Sequence, residues 1–316
     1  MIGNLVGLGL LIALVVLGAL LTYRSSRARL IALRFGGTAL AGFLTLAVAA
    51  ISVTIGVGSA TMYLPRGNPV QNVAVARTPD QIARGQHIAN MLCASCHSLN
   101  NSIPLSGGKD LGKEVPFPIG SLTTKNLTPA GPLKDWTDGE IYRAIREGTD
   151  NNGHTLPVMS TQAFRILGND DLQSLIAYLR TQPAVPNEVP DESLSLVGLA
   201  LTGVGLIPVL PVPTQVVATP APLREPNATY GHYVVTYTGC SDCHGNNLTG
   251  GTNPLAPRGP SLQVVKNWSS QQFQTTLRTG TDPTGYHLND QMPWQTYGRM
   301  DDDELAAVHA YLVSLP

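Results

Sequence analysis

Two five-residue strings contain every cysteine of this 316-residue chain, Cys93-Ala94-Ser95-Cys96-His97 and Cys240-Ser241-Asp242-Cys243-His244. In each string two thiols stand three positions apart and a histidine follows at once. Thiols at this spacing can form thioethers with the two vinyl groups of a porphyrin, and the histidine can then ligate the iron. We therefore predict two covalently bound haem c groups, with Cys93, Cys96, Cys240 and Cys243 as attachment residues and His97 and His244 as iron ligands.

Three other uses of a Cys-x-x-Cys pair explain the pattern less well. A disulfide gives no reason for the histidine that follows each second cysteine. A zinc site would have to combine both pairs, and it would not require those histidines either. A thioredoxin-like redox pair would occur once, beside a βαβ pattern that this sequence lacks.

The sixth iron ligand distinguishes an electron carrier from an enzyme, and two methionines are candidates for it. Met159 ends the string Leu156-Pro157-Val158-Met159, and Met292 lies in Gln291-Met292-Pro293-Trp294. Methionines more often fill gaps in a core, and His154 and His287, each five residues earlier, leave bis-histidine ligation open. Met300 directly precedes the acidic start of a later helix, and His309 lies within that helix. A structural role is expected for both.

Matched spacings show that the chain contains an internal duplication. Trp136 and Trp268 precede the two methionines by 23 and 24 residues. Tyr178 and Tyr311 follow them by 19 residues in both copies. A duplication of this kind predicts one haem domain per copy, and it places Met159 and Met292 at equivalent positions.

Each copy opens with a helix that leads into its attachment site. Thr78-Pro79 is a helix-start signal, so we predict a helix from there through Gly85 to Cys93. In the second copy the corresponding helix begins near Tyr230. Gly85 and Gly231 would let these helices pack closely against the closing helices near Tyr178 and Tyr311, which would offset the helix-weakening effect of glycine.

These features resemble class I cytochromes c, which have an opening helix, a Cys-x-x-Cys-His site, a loop-rich middle, a methionine ligand and a closing helix. The strings Thr124-Lys125-Asn126-Leu127-Thr128-Pro129, Trp136-Thr137-Asp138-Gly139-Glu140-Ile141 and Ala177-Tyr178-Leu179-Arg180 are similar, more narrowly, to membrane-bound cytochrome subunits of periplasmic alcohol and aldehyde dehydrogenases. The resemblance covers 78–316. It implies a mainly α fold with two tandem class I cytochrome c domains. The chain departs from that family in its two haem motifs and N-terminal anchor, where three haems and a C-terminal anchor are usual.

Two apolar segments, 2–22 and 37–63, precede the haem motifs, and neither contains a charged residue. Each is long enough to cross a hydrocarbon core of about 30 Å. Arg24, Arg27, Arg29 and Arg34 lie between them, so the connecting loop should be cytoplasmic and both haem domains extracytoplasmic. A cleaved signal peptide is the alternative, but the basic residues follow the first apolar segment rather than precede it.

A third apolar stretch, Leu194 to Val212, lies between the two haem motifs. It is long enough to cross a membrane, but Pro208 and Pro211 interrupt its end. A crossing here would also place the two haem domains on opposite sides. We therefore expect a linker that lies on the membrane surface or packs between the domains.

The charge balance after the anchor is acidic, with 16 Lys and Arg against 21 Asp and Glu, a net charge of −5. An acidic carrier suits a redox partner with a basic docking face, and the sequence has no basic clusters of the kind that bind nucleic acid. The predicted organisation is a transmembrane hairpin in 1–63, a linker in 64–77, the first cytochrome c domain in 78–186, the apolar linker in 187–226 and the second domain in 227–316.

The leading functional hypothesis is a dihaem electron carrier of the bacterial cytoplasmic membrane, with both haem domains on the periplasmic side. It would pass single electrons between a membrane or periplasmic redox complex and another carrier, and its own catalytic activity is not expected. Two rivals stay open at this point. One is a peroxidase-like dihaem enzyme with one open iron, and the other is an integral haem subunit of a larger respiratory or photosynthetic complex.

Overall fold

The computed structural model describes residues 2–213, 220–252 and 257–316, and these residues are mainly helical. Met1, residues 214–219 of the predicted linker and residues 253–256 of the predicted second domain lie outside the described residues. The only β-sheet within the described part is a two-residue antiparallel pair, β1 (Gly120–Ser121) with β2 (Ser193–Leu194).

The N-terminal segments form an antiparallel hairpin of two long helices, α1 (Ile2–Ser26) and α2 (Thr38–Tyr63), joined through a π-helical turn. Gly18 of α1 faces Thr45 of α2, which allows the two backbones to approach closely. Large apolar side chains point outward along both helices; Leu10 is 63% exposed and Phe43 69% exposed. Both helices are long and apolar enough to cross a membrane.

The first of the two equivalent domains is built around three helices. The first, α3 (Pro79–Ile88), has Thr78 as its N-cap and continues through a π-helical turn (Ala89–Cys93) into the short helix Ala94–His97. Helix α4 (Asp138–Glu147) starts with a capping box and ends at Gly148, whose φ is +67°. The third is α5 (Asn169–Thr181). The predicted opening helix is therefore present, but its last turn widens before Cys93.

The apolar stretch between the domains contains one short helix, α6 (Leu196–Gly203). It packs against α2, and the backbones meet where Gly58 and Gly203 face each other. An apolar cluster joins this helix to the hairpin and to the first domain, through Leu199, Ile55 and Ile119.

The second domain repeats the plan of the first with α7 (Ala228–Tyr237), the short helix Cys240–His244, α8 (Ser270–Thr279) and α9 (Asp302–Ser314). Helix α8, like α4, begins with a capping box and ends at a left-handed glycine, Gly280. The remaining short helical segments are Leu111–Glu114, Pro132–Asp135, Pro157–Ser160, Ala163–Ile166, Leu262–Asn267 and Trp294–Tyr297.

The two domains have the same close helix contact, as the glycines predicted. A Cβ atom on Gly85 would collide with the carbonyl oxygen of Ser174 and lie 2.9 Å from the Cβ of Tyr178. A Cβ atom on Gly231 would collide with the carbonyl oxygen of Ala307 and lie 2.9 Å from the Cβ of Tyr311. Only glycine fits at these two crossings.

The two domains pack against each other through a buried polar interface with approximate twofold symmetry. His87 of α3 pairs with Glu304 of α9 (2.6 Å), and Tyr233 of α7 donates to Asp171 of α5 (2.8 Å). His87 and Tyr233 are equivalent positions of the duplication, and so are Glu304 and Asp171. Each domain therefore offers the same patch to the other, as in an isologous dimer interface.

Arg84 lies at the centre of this interface and contacts both acidic residues. Its guanidinium donates two hydrogen bonds to Asp171, at 2.8 and 3.1 Å, and one to Glu304, at 2.8 Å. Burial alone would raise the pKa of Glu304, but hydrogen bonds and charge from His87 and Arg84 outweigh it and lower that pKa to about 2. Glu304 is therefore a buried carboxylate that depends on its partners across the interface.

Candidate functional site

Each Cys-x-x-Cys-His string opens into its own apolar cleft. The space not filled by protein atoms, including the open solvent at the mouth, is about 1200 Å³ in the first cleft and about 1420 Å³ in the second. Cys93 and Cys96 line the first, whereas Cys240 and Cys243 line the second. Because the two pairs lie in different clefts, they cannot combine into a four-cysteine zinc site.

In the first cleft, the backbone orients His97 for metal binding. Its Nδ1 donates to the carbonyl oxygen of Lys125 (2.9 Å), which leaves Nε2 as the nitrogen free to bind a metal. Burial lowers the pKa of His97, partly offset by this hydrogen bond, so the ring is neutral as a ligand must be. Gly107 makes the arrangement possible, since its φ of +71° brings the chain against Lys125.

The second cleft holds His244 in the same way. Its Nδ1 donates to the carbonyl oxygen of Pro260 (2.7 Å). Gly259 packs against the ring, and a Cβ there would lie 2.6 Å from Nδ1. Gly239, with φ +72°, starts the short helix that carries Cys240 and His244. The sequence offers no common string around Lys125 and Pro260, so this shared backbone acceptor could not be predicted from motifs.

The sulfur atoms of Cys93, Cys240 and Cys243 are in surroundings that favour the uncharged form. Burial raises the pKa of Cys93 to about 12, and it also raises the pKa of Cys240 and Cys243. Redox-active and zinc-binding cysteines need thiolate, which positive or polar neighbours normally stabilise. Apolar burial suits a sulfur that ends as a neutral thioether instead.

The two predicted methionines lie in the cleft walls, and the competing histidines do not. Met159 lines the first cleft and Met292 the second. Within the described residues His154 and His287 fall outside both linings: His154 pairs with Asp150 (3.3 Å), and His287 packs edge-on against Trp294. The geometry therefore favours methionine over bis-histidine ligation.

Met300 is a second methionine in the wall of the second cleft, where it is 3% exposed. It occupies the position equivalent to Leu167, a fully buried core residue of the first domain. His309 binds the carbonyl oxygen of Trp268 (2.9 Å), which agrees with the structural role expected for it.

Several residues of the clefts were not identified as site residues from the sequence. Trp136 and Trp268 served only as landmarks of the duplication, yet they line the first and second clefts at equivalent positions. Glu192 lines the first cleft, and burial raises its pKa to about 6. The matched tryptophans were a usable signal, whereas nothing in the sequence around Glu192 indicates its position.

The first cleft lies beside the N-terminal hairpin. Thr155, in the loop before Met159, donates its backbone N–H to Met62 O (3.2 Å) and its hydroxyl to Thr61 O (2.6 Å). Leu111, Leu122 and Val158 belong both to the cleft lining and to the apolar cluster that includes Ile55 of α2. Within the described residues the lining of the second cleft contributes nothing to that cluster.

The two clefts are close to each other across the domain interface. Ala163 lies between two residues of the first lining, and a Cβ on Gly239 of the second lining would be 3.2 Å from its Cβ. Arg299, next to Met300, donates to the carbonyl oxygen of Asn90 (2.6 Å), three residues before Cys93. The chain thus connects the two attachment regions through short contacts.

The sequence profile of the cytochrome c family matches residues 82–183 and 228–316. This chain belongs to the cytochrome c family, and its cytochrome c fold implies covalently bound haem c. The clefts fit that group, because each is lined mainly by apolar side chains and holds a Cys-x-x-Cys-His string beside a methionine.

Among curated proteins, the cytochrome c subunit of alcohol dehydrogenase (quinone) from Gluconacetobacter polyoxogenes is 30% identical over 280 residues. The alignment covers 77% of this chain and 58% of that relative, and the Komagataeibacter europaeus subunit gives the same figures. The gluconate 2-dehydrogenase cytochrome c subunit of Pantoea cypripedii is 23% identical over 269 residues, 74% of this chain and 59% of that protein. The chain thus spans less than two thirds of the length of these relatives.

Proposed function

We propose that this protein is a membrane-anchored dihaem cytochrome c that transfers single electrons as a subunit of a periplasmic dehydrogenase complex. The observation that carries the proposal is the pair of equivalent clefts, each lined by two cysteines, a backbone-oriented histidine and a methionine. When bound, haem c supplies a reversible one-electron iron couple.

The chain's own residues define what each site does. Cys93 with Cys96, and Cys240 with Cys243, would hold haem through thioethers. His97 and His244 would bind its iron, and Met159 and Met292 would supply the second protein ligand. Methionine favours ferrous iron relative to a second histidine, so both potentials are comparatively high. With a histidine and a methionine bound to each iron, a substrate would find no open iron, which argues for electron transfer rather than peroxidase chemistry.

The position of each cleft gives it a separate task. The first cleft is tied to the end of α2, so it faces the membrane side of the molecule. The second cleft is the outer one, and it meets the first through Gly239 and Ala163. Electron exchange between the clefts within one molecule is supported by these contacts and by the bond from Arg299 to Asn90.

The relatives indicate the kind of partner. Three of them are cytochrome c subunits of alcohol and gluconate dehydrogenases, and a fructose dehydrogenase cytochrome subunit from Gluconobacter japonicus is 30% identical over 110 residues. We infer that a dehydrogenase subunit, outside the membrane, exchanges electrons with the second domain. The acidic charge of the part after the anchor, −5, suits a basic docking face on that partner.

The test is carbon monoxide binding and a redox titration on the full chain in detergent or nanodiscs. We expect two haems that do not bind carbon monoxide and that titrate reversibly. Rapid carbon monoxide binding by one as-purified haem would contradict the electron-transfer assignment and favour an enzyme.

A further inference from the structure

Helix α6 packs along the hairpin. It runs from the end where α1 begins and α2 ends toward the middle of α2. Just before α6, the carbonyl oxygen of Leu194 in β2 accepts a hydrogen bond from the side chain of Asn4 (2.7 Å), close to the beginning of α1. Further on, Leu199 contacts Gly58, and Gly203 contacts Thr54. As residue numbers rise in α6 they fall in α2, so the two helices are antiparallel.

The depth that α6 reaches follows from helix geometry. Thr54 lies nine residues before the end of α2 at Tyr63, which is about 13 Å along the helix axis. The eight residues of α6 span about 12 Å, less than half of a hydrocarbon core of about 30 Å. The segment is therefore too short to cross, but it reaches well below the end of α2.

After α6 the chain turns and returns. Gly205, with φ +76°, makes the turn, and the N–H groups of Leu206 and Ile207 both bond to the carbonyl oxygen of Leu201 (2.9 and 3.2 Å). The carbonyl oxygen of Leu210 then accepts from Arg66 (2.7 Å), the first charged residue after α2. Residues 194–210 thus contain a helix, a turn and a non-helical stretch that runs back toward the end of α2. We name them the re-entrant segment.

The surface of the re-entrant segment matches that of the hairpin beside it. No charged residue occurs in 193–223. Val204 and Leu206, at the turn, are each 55% exposed, and Val53 and Val57 of α2 at the same level are 64% and 48% exposed. The hydroxyl of Thr202 bonds to Gly198 within the helix (2.9 Å), so it needs no water.

We propose that the re-entrant segment enters the outer leaflet of the bilayer, with lipid acyl chains covering Val204 and Leu206. This rests on the proposed membrane anchor: 2–22 lack charge and need almost their whole length to cross, so the level of Gly7, which contacts Leu196, is inside the hydrocarbon. Irregular backbone is tolerated at such depth when it packs on protein and bonds internally. The segment fixes the first cleft against the membrane, because Ile119 and Leu122 share its apolar cluster.

Site-directed spin labelling of the haem-loaded full chain in nanodiscs tests the depth. The four native cysteines are used by haem, so Val204→Cys carries the only reactive thiol. We expect the label to collide more with oxygen, which concentrates in lipid, than with a water-soluble nickel chelate. Val53→Cys is the lipid-facing reference and Leu223→Cys, 78% exposed, the aqueous one.

The outcomes separate this proposal from the proposed function. If Val53→Cys is lipid-exposed but Val204→Cys behaves like Leu223→Cys, the re-entrant segment is refuted while the anchor stands. If Val53→Cys is also in water, the anchor and the segment both fail. As a matched pair, Gly58→Val should displace α6 and raise nickel accessibility at position 204, whereas Gly56→Val, which has open space around its Cβ, should not.

Discussion

The two cytochrome c domains have the same internal packing but different surroundings. Both pack a glycine of the opening helix on the closing helix, and both orient the histidine of the Cys-x-x-Cys-His string with a backbone carbonyl. The first domain also packs against α2 and α6, whereas within the described residues the cleft of the second domain has no part in that apolar cluster. The two copies therefore share the residues around the Cys-x-x-Cys-His string and differ in the elements that pack around the domain.

The largest expected effect comes from removing one attachment site at a time. Cys96→Ala and Cys243→Ala should each lower the haem content of the full chain from two to about one, because the thioethers act independently in separate clefts. Pyridine haemochrome absorbance per chain measures this. Ser95→Ala and Ser241→Ala, within the same strings, should retain both haems, and loss of both haems from a single-site variant would show that the domains are not independent.

The next effect is on the sixth ligand. Met159→Leu and Met292→Leu should each lower one haem potential by about 0.1 V or more, within the ~0.8 V range that axial ligands set, and should open that iron to carbon monoxide. Met300→Leu is the matched control for the second cleft. His154→Gln and His287→Gln should leave both haem potentials unchanged. A shifted potential in either variant would favour the bis-histidine hypothesis instead.

The interface between the domains should depend on one buried carboxylate. Glu304→Gln removes the acidic partner of His87 and one of the two acidic partners of Arg84, and it should cost about 3–5 kcal/mol of unfolding free energy in a denaturant titration. The exposed Asp303→Asn, in the same helix turn, should cost under about 0.5 kcal/mol.

The same carboxylate predicts a pH dependence. The pKa of Glu304 is lowered from 4.5 to about 2 in the folded protein, so its contribution is present above pH 4.5 and is lost as the pH falls toward 2. Wild-type unfolding free energy should decline over this range more steeply than that of Glu304→Gln. Parallel curves would mean that Glu304 is not held ionised by its partners.

The smallest effect of the series compares the two glycine crossings. Gly85→Ala and Gly231→Ala should each destabilise their domain by about 1–3 kcal/mol, because the new methyl group meets backbone oxygen rather than a movable side chain. Ala83→Gly on the exposed face of α3 should cost about 1 kcal/mol through helix propensity alone. Thermal unfolding monitored at the haem absorbance follows each domain, and a neutral Gly231→Ala would break the equivalence.

Local features of the sequence predicted the parts of the fold that repeat. The capping residue Thr78 and the glycines Gly85 and Gly231 lie where the patterns placed them. Met159 and Met292, which were predicted as iron ligands, line the two clefts. Each of these signals depends on neighbours a few residues away or on the comparison of two copies.

The parts that could not be predicted arise where distant segments meet. Nothing in the sequence around Arg84 distinguishes it from a surface arginine. Only the packing of the two domains places it between Asp171 and Glu304. The sequence of Leu194 to Val212 indicates only a linker, because a membrane crossing was the alternative it argued against. Neither its proline content nor its length shows that Gly203 fits against Thr54. The widened turn before Cys93 likewise has no signature in the helix-start pattern.

The central claim is that one chain holds two haem c groups, each with histidine and methionine ligands. Near-infrared magnetic circular dichroism of the ferric full chain, calibrated against protein concentration by amino-acid analysis, counts methionine-ligated haems directly. We predict two per chain, falling to one in Met159→Leu and in Met292→Leu. A wild-type count of one or none, or a bis-histidine signature at either site, would contradict the account.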